Sequence, residues 1–362
     1  MDYTARRLKL KELAGADAIA IVPGANMKYF TGLDYHLSER PIIALFTGDE
    51  LSFIVPELEV PQIHARPDLE VRLFTWTDKD GYQGAFNTAV EALGLTGKTL
   101  GVDDKTMRLF EWLGFLEADP DMKLEEFGKD LLWIRSQKDT EEVDAMREAI
   151  RLSEQALDNV LPRIEPGMTE RDISTMLDIE LSELGCQGLA FKSLIQTGPN
   201  SALPHGDITD RALQSGELLL IDYGGMYQSY PADITRTFFI GTPSAEIQKI
   251  YDTVLAANQA AIAAAGPGVE CGVVDQAARD VITKAGYGEY FIHRTGHGLG
   301  LETHELPQMA AGVEDVLKPG MIFTVEPGIY IPGLGGVRIE DDVLVTETGV
   351  EVLTHYRYGL NI

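Results

Sequence analysis

Residues 216–241 read GELLLIDYGGMYQSYPADITRTFFIG, and this stretch predicts a β-hairpin. The apolar run LLLI forms a strand that ends at Asp222, a pair of glycines turns the chain, and ADITRTFFI returns as the second strand. Such a hairpin brings Asp222 and Asp233 together. Two adjacent carboxylates repel one another unless a cation or a proton lies between them. For either aspartate alone, capping of a turn beside glycine is the simpler interpretation.

A second stretch, FIHRTGHGLGLETHELP at 291–307, contains three of the seven histidines of the chain. Its closely spaced glycines allow close backbone approach and exclude an ordinary helix. This argues against a HExxH zinc site, whose two histidines share one helical face. A lone histidine is more often a hydrogen-bonded core or surface residue, but histidines on a glycine-rich turn are typical of metal coordination or proton transfer. The candidates here are His293, His297 and His304.

The last candidates lie in MIFTVEPGIYIPGLGGVRIEDDVLVTETG at 321–349. Glu326 ends the apolar run MIFTV, and Glu340 follows VRI on a further predicted strand. Glutamate is depleted in strands, so each of these carboxylates needs a partner. A salt bridge to Arg338 is one interpretation, and for Glu340 a solvated acidic turn is another.

Together these stretches predict a metal site of four carboxylates and one imidazole. Oxygen-rich ligation with one nitrogen suits Mn²⁺, Co²⁺, Fe²⁺ or Zn²⁺ better than a thiolate zinc site. Four carboxylates also balance two divalent ions, and two ions roughly 3.5–4 Å apart can hold a hydroxide and polarise a carbonyl group. The predicted carboxylate ligands are Asp222, Asp233, Glu326 and Glu340, and the imidazole comes from one of His293, His297 and His304.

The length of 362 residues exceeds one typical domain, and we predict two, at 1–131 and 132–362. The first domain alternates helical and strand-like patterns. It has a loop at 26–41 and two strands joined by a Gly-Asp turn at 41–56.

The second domain begins with a helix that Asp139 or Thr140 caps and whose apolar face carries Val143 and Met146. Thr169 starts the next helix, and further helices are predicted at about 246–265 and 273–285. Between and after them the sequence is strand-like and rich in glycine.

The charge balance of the chain limits its partners. It has 57 acidic and 30 basic residues, a formal charge of −27. Such a surface repels phosphate backbones and anionic lipid, so neither nucleic acid nor membrane is an expected partner. The only cysteines are Cys186 and Cys271, in no CxxC arrangement, and the first residues do not resemble a signal peptide. We therefore expect a soluble, cytoplasmic protein.

The order and spacing of these segments resemble the pita-bread metallopeptidases, which include methionine aminopeptidase, aminopeptidase P and prolidase. The resemblance covers essentially the whole second domain and rests on IDYGG, YPADITRT, HRTGHGLGLETHELP, TVEPGIY, GGVRIED and SLIQTGPNSALPHG. An N-terminal domain of this length is typical of the proline-specific branch, aminopeptidase P and prolidase. The implied fold class is α/β (α+β), with a small creatinase-like α/β domain followed by a catalytic pita-bread domain.

The resemblance also implies how the metal ions are held. Asp222 binds one ion, and His297 with Glu326 binds the other. Asp233 and Glu340 bridge the two. The implied cofactor is a pair of divalent ions per chain, with Mn²⁺ favoured and Co²⁺ or Zn²⁺ as alternatives.

Catalytic roles follow from the same resemblance. Glu326 is the acid/base that handles the proton of the attacking water. His205, in ALPHG, lies near the substrate, and His304 stabilises the tetrahedral intermediate. His293 matches a further active-site histidine of the proline-specific branch. Arg338 either lies behind the metal ligands or binds substrate.

The choice between dipeptidase and aminopeptidase depends on how the end of the substrate is recognised. Prolidases of the family often place an arginine in the loop after the HExP segment, whereas here the loop LPQMAAG carries Gln308. In related dimers the equivalent of the loop at 31–41 reaches the partner's active site, so Arg40 or His36 is a candidate for binding the substrate in trans. A surface loop with an internal Glu39–Arg40 pair is the alternative.

We therefore expect a homodimeric Xaa-Pro dipeptidase acting on short proline-containing peptides. The alternatives are an Xaa-Pro aminopeptidase acting on longer peptides and a metal-binding protein that binds peptides without cleaving them. Relatives that lack metal chemistry, such as creatinase, characteristically lack the ligand set that is intact here.

Overall fold

A computed structural model describes residues 1–13, 15–359 and 361 of the chain. The chain divides into two compact units, Met1–Arg135 and Ser136–Ile362. The domain boundary predicted from the sequence, between residues 131 and 132, lies inside the helix Gly128–Ser136 that ends at this division.

The N-terminal unit alternates helices and strands around one mixed sheet. Its elements are α1 (Tyr3–Leu10), β1 (Ala18–Ile21), α2 (Ala25–Thr31), β2 (Ile43–Thr47), β3 (Glu50–Pro56), α3 (Val60–His64), β4 (Val71–Trp76), α4 (Gln83–Ala92), β5 (Thr99–Val102), α5 (Leu109–Ala118), β6 (Lys123–Glu126) and α6 (Gly128–Ser136). The strand order is β4–β3–β2–β1–β5–β6, with β2 antiparallel to both of its neighbours. The predicted hairpin at 41–56 is confirmed as β2 and β3.

The loop predicted at 26–41 is wrong in its first part, because α2 begins at Ala25 and ends at Thr31. Met27 and Phe30, one helical turn apart, are both fully buried. Gly32 ends the helix with a φ of 71°, a conformation that glycine adopts without strain. A helix of seven residues is too short to show a clear apolar period in the sequence.

The C-terminal unit packs helices against short antiparallel sheets. Its elements are α7 (Thr140–Val160), α8 (Glu170–Glu183), β7 (Leu194–Thr197), β8 (Leu218–Tyr223), β9 (Met226–Tyr227), β10 (Tyr230–Pro231), β11 (Ile234–Phe239), α9 (Ala245–Ala264), α10 (Cys271–Lys284), β12 (Gly296–Gly298), β13 (Glu305–Met309), β14 (Ile322–Val325), β15 (Gly328–Ile331), β16 (Gly335–Arg338), β17 (Asp341–Val345) and β18 (Val350–Val352). One sheet has the order β11–β8–β7 and another the order β13–β12–β14–β17–β18, while β15 pairs with β16. The segment predicted as a loop after HELP is instead largely part of β13, which pairs with β12.

Helix starts in this unit agree with the sequence. Asp139 caps α7 by accepting from the backbone N–H of Glu142. Thr169 caps α8 in the same way, because its side chain accepts from the backbone N–H of Asp172. The predicted apolar face of α7, which includes Val143, packs into the core of the unit. The predicted helices near 246–265 and 273–285 are confirmed as α9 and α10.

The hairpin that carries the aspartates forms as predicted, but its turn lies elsewhere. The chain reverses at Gln228 and Ser229, whose φ angles of 47° and 71° match the twist of a tight hairpin. Gly224 is needed for a different reason, because a Cβ there would lie 1.8 Å from the carbonyl oxygen of Ala232. Gly224 thus lets the two arms of the hairpin approach closely rather than turn the chain.

No helix among the described residues is both long and apolar enough to cross a bilayer.

Candidate metal centre

The C-terminal unit contains a cavity of about 820 Å³ that collects most of the predicted site residues. A volume of this size is typical of small-molecule sites. Nine predicted residues line it: Asp222, Asp233, His297, Glu326, Glu340, His205, His293, His304 and Arg338.

The β8–β11 hairpin supplies the two aspartates. Asp222 lies opposite Thr235 in the strand register, and Asp233 immediately precedes β11. The side chain of Asp233 is buried, and its backbone N–H donates to the carboxylate of Asp342 at 3.1 Å. One carboxylate oxygen of Asp222, Oδ1, is buried and meets no hydrogen-bond donor among the described residues.

His297 lies on the short strand β12, and its backbone N–H donates to the hydroxyl of Thr324. Its Nε2 is 3.4 Å from Glu326 Oε1 and 3.7 Å from Asp233 Oδ2. Burial, with a smaller contribution from nearby His304, lowers the pKa of His297 to about 3. The ring is therefore neutral at neutral pH, which is the form that binds metal ions.

Glu326 and Glu340 come from the ends of paired strands. Glu326 follows β14, and Thr324 donates to its Oε1 at 3.4 Å. Glu340 precedes β17, and Thr235 donates to its Oε2 at 2.5 Å. Hydrogen bonds from threonine orient these carboxylates and leave their charge in place, as partners of metal ligands commonly do.

Burial and mutual repulsion disfavour the charged forms of the carboxylates in this cluster. Burial raises the pKa of Asp233 and Glu340 well above the usual values, and repulsion from neighbouring carboxylates raises each further. Burial also raises the pKa of Glu326, which reaches about 7 even though the charge of Arg338 opposes the rise. Carboxylates held this close favour a cation between them.

The donor set fits divalent metal ions. Ligand atoms of Asp233, His297 and Glu340 all lie within 4.8 Å of one another. Asp222 and Glu326 also line the cavity. Oxygen donors with one imidazole suit ions such as Mn²⁺, Co²⁺ or Zn²⁺.

Arg338 lines this cavity, but its side chain is buried and already paired. It forms an ion pair with Asp222 and donates to Thr235 Oγ1 at 3.1 Å. The salt bridge weighed for Arg338 is thus present, but with Asp222 and not with Glu340. A guanidinium in this position holds the ligand Asp222 in a fixed orientation.

Tyr330 links Arg338 to His293. Arg338 Nη1 donates to the phenol oxygen at 2.9 Å, and the phenol lies 2.9 Å from His293 Nε2. His293 Nδ1 is 2.6 Å from the carbonyl oxygen of Arg294, which can only accept, so Nδ1 carries the proton and Nε2 accepts from Tyr330. Burial lowers the pKa of His293 to about 4.

His304 and His205 lie at the cavity wall and are more exposed than the ligands. The ring of His304 stacks edge-on against His297, with the ring centroids 4.2 Å apart. His304 and His205 therefore both border the cavity in which a substrate would meet the ligand cluster.

His36 and Arg40 belong to the N-terminal unit, and their role in substrate binding stays a prediction. Arg40 forms a two-point contact with Asp78, with distances of 3.0 and 2.9 Å, besides a 2.7 Å pair with Glu39. The Glu39–Arg40 pair was foreseen as the alternative, whereas Asp78 was not.

Sequence reasoning missed three contributors to the centre. Tyr330 follows Glu326 by four positions in the TVEPGIY motif, so the motif itself was a signal for it. Asp342 was interpreted only as part of an acidic turn, yet it is fully buried and accepts from the backbone of Asp233. Arg294 also lines the cavity and lies within the histidine-rich stretch.

The chain is similar over almost its whole length to proteins named as Xaa-Pro peptidases. A Xaa-Pro dipeptidase from Pyrococcus furiosus is 37% identical over 347 residues, which is 96% of each chain. The crystal structure of a prolidase from Thermococcus sibiricus has a TM-score of 0.93 at 32% identity, covering 100% of this chain and 99% of that one. An X-Pro aminopeptidase structure from Thermotoga maritima has a TM-score of 0.86 at 32% identity, covering 97% and 99%.

Family comparison agrees with the fold. Residues 5–137 match the creatinase/prolidase N-terminal domain, and residues 144–347 match metallopeptidase family M24. These matches confirm the predicted fold class, a creatinase-like α/β domain followed by a pita-bread domain. The chain therefore belongs to metallopeptidase family M24.

Proposed function

We propose that this enzyme is an Xaa-Pro dipeptidase, or prolidase, which hydrolyses the Xaa-Pro bond of short peptides. One observation carries the proposal: donor atoms of Asp233, His297 and Glu340 converge within 4.8 Å in a cavity that Asp222 and Glu326 also line. The similarity to the Pyrococcus furiosus Xaa-Pro dipeptidase and to the Thermococcus sibiricus prolidase supports this substrate class.

The proposed cofactor is a pair of divalent ions per chain, with Mn²⁺ preferred over Co²⁺ or Zn²⁺. When bound, such ions act as Lewis acids toward the scissile carbonyl and make water more acidic. The proposed ligands are Asp222, Asp233, His297, Glu326 and Glu340.

The remaining chemistry belongs to side chains of the chain itself. Glu326 accepts a proton from the attacking water and delivers it to the proline nitrogen as the C–N bond breaks. His304 and His205 donate hydrogen bonds to the carbonyl oxygen, on which negative charge develops. Arg338 and His293 keep their positions through Tyr330.

Restriction to dipeptides requires a group that recognises the substrate's free carboxylate. We assign this to Arg40 or His36 from the loop at 31–41, acting on the active site of the partner in a homodimer. Arginine suits the role because it binds a carboxylate at two points. The composition further supports a cytoplasmic location, with no nucleic acid or membrane partner.

An Xaa-Pro aminopeptidase acting on longer peptides is the second candidate. The similarity to the Thermotoga maritima X-Pro aminopeptidase favours it, as does the exposed Gln308 at the position where an arginine would mark a dipeptidase. A peptide-binding protein that keeps its metal ions but cleaves nothing is a third.

The deciding experiment measures hydrolysis of Xaa-Pro and Xaa-Pro-Yaa by protein stripped of metal and reconstituted with Mn²⁺, Co²⁺ or Zn²⁺. Preferential proline release from the dipeptide supports the dipeptidase. Comparable cleavage of the tripeptide indicates the aminopeptidase, and bound metal without proline release indicates the binding protein. Full activity after exhaustive chelation would refute the metal centre.

A further inference from the structure

Behind the ligand cluster lies a fully buried asparagine that contacts none of the proposed metal ligands directly. Asn258 projects from α9, and its side chain is completely excluded from solvent. Its Nδ2 donates two hydrogen bonds, each 3.0 Å long, one to the backbone oxygen of Val325 and one to Asp341 Oδ2.

These two acceptors are the immediate neighbours of two proposed ligands. Val325 precedes Glu326 in the chain, and Asp341 follows Glu340. Val325 and Asp341 are also cross-strand partners in the β14–β17 pair. One amide group therefore joins the end of each strand from which a ligand emerges.

The acceptor Asp341 is itself held firmly. Arg236 Nη2 donates to its Oδ1 at 2.8 Å, and the phenol of Tyr358 donates to its Oδ2 at 2.9 Å. The same arginine donates through Nη1 to the backbone oxygen of Glu340 at 2.6 Å. Asn258 thus connects the strand end beside Glu326 to a buried, charge-assisted network beside Glu340.

An asparagine at this position has a cost that an apolar residue would avoid. Its Oδ1 is buried and meets no donor among the described residues, and an unsatisfied buried oxygen is unfavourable. The side chain therefore contributes through its two Nδ2 hydrogen bonds, which link the two strand ends.

We propose that Asn258 is a positioning residue for the metal centre. It sets the separation of the Glu326 and Glu340 carboxylates, because its amide joins the backbone oxygen just before Glu326 to the side chain of Asp341, just after Glu340. The inference rests on the proposed metal centre. It predicts that the amide governs metal affinity rather than only the stability of the fold.

The test compares Mn²⁺ binding by metal-free protein in equilibrium dialysis, for the unsubstituted chain, Asn258→Ala and Thr253→Ala. Thr253 is the matched control, because it is buried on the same helix and its hydroxyl donates to the backbone oxygen of Lys249 in that helix. Loss of a residue that supports metal ligands typically costs about 10- to 100-fold in metal affinity. We expect a loss of that size for Asn258→Ala and none for Thr253→Ala.

Thermal unfolding of the metal-free variants shows whether each has folded. If Asn258→Ala does not fold, Asn258→Ser, which keeps one donor, is judged by the same affinity criterion. A folded Asn258 variant that binds Mn²⁺ as tightly as the unsubstituted chain, even with a lower unfolding temperature, would overturn the inference and leave the metal centre standing. Failure of the unsubstituted chain to bind Mn²⁺ would overturn both.

Discussion

Lys138 and Glu305 form a buried ion pair whose removal gives a quantitative test of the site's framework. The distance from Lys138 Nζ to Glu305 Oε2 is 3.2 Å, and each side chain is only 1% exposed. Coulomb attraction over 3.2 Å is about 5 kcal/mol at an effective dielectric constant of about 20. Removing one partner of such a pair costs about 3–5 kcal/mol, because a buried charge is left without compensation.

Glu305 also orders the turn that presents His304. Its Oε1 accepts from the backbone N–H of Glu302 at 3.1 Å. The substitution Glu305→Gln keeps an acceptor for that N–H while removing the charge, and Lys138→Met removes the ammonium group while keeping the aliphatic stem. Lys138→Met also removes the hydrogen bond from Lys138 Nζ to the backbone oxygen of Ser136, so the double variant is needed to separate the charge interaction from that loss.

The assay is a double-mutant cycle on the unfolding of the C-terminal unit in urea. Lys138→Met alone should lower the free energy of unfolding by about 3–5 kcal/mol. The double variant should be destabilised by clearly less than the sum of the single variants, with a coupling energy of about 1–3 kcal/mol. Additive effects, or a Lys138→Met variant as stable as the unsubstituted protein, would refute this reasoning.

Three further predictions concern the site and its surroundings. Asp233→Asn should abolish peptide hydrolysis while the thermal unfolding of the protein shows an intact fold; near-normal turnover would contradict its proposed bridging role. The pKa of His293, lowered to about 4, means that the unfolded chain binds its proton first as the pH falls from about 6.5. Stability should therefore decline between about pH 6.5 and pH 4, by about 3 kcal/mol in all, and His293→Gln should remove that part of the pH dependence in urea titrations. Arg40→Ala should raise the Michaelis constant for Xaa-Pro dipeptides about tenfold, as for loss of a hydrogen bond to a charged group; the exposed Arg72→Ala is the control, and an unchanged constant would exclude Arg40 from substrate binding.

The sequence was most informative where a ligand terminates an apolar strand. Asp222 after LLLI and Glu326 after MIFTV could be placed because an apolar run indicates a buried strand and a carboxylate at its end needs a partner. Glycine spacing around His297 excluded a helix, and β12 is indeed a short strand. Motif order then brought five distant positions to one cavity, where the structure has them.

Features that depend on long-range packing were not accessible in the same way. Helix α2 has too few residues to display a period, and the turn at Gln228 and Ser229 uses residues that seldom adopt positive φ. The roles of Asn258 and Arg236 depend on a helix and a strand that both meet Asp341, which lies 83 and 105 positions further along the chain. Neither residue type nor spacing predicts such a meeting, since it is settled by tertiary contacts alone.

The distribution of positive charge around the centre shows how the chain keeps its ligands available. Arg338 pairs with Asp222, and Arg236 pairs with Asp341, both in buried positions. In the part of the chain that the structure describes, no lysine or arginine forms an ion pair with the three remaining ligands, Asp233, Glu326 and Glu340.

Those three carboxylates receive neutral partners instead. Threonine hydroxyls donate to Glu326 and Glu340, and the neutral ring of His297 lies beside Asp233. A neutral donor fixes the direction of a carboxylate without cancelling its charge, whereas a guanidinium offsets part of that charge, as Arg338 does at Asp222 Oδ2 while Oδ1 stays without a donor in the described part of the chain. Arginines thus compensate Asp222 and Asp341, whereas Asp233, Glu326 and Glu340 have only neutral partners within the described ranges. Negative charge is therefore left uncompensated at the place where the donor atoms converge. A divalent cation is the partner that this charge requires.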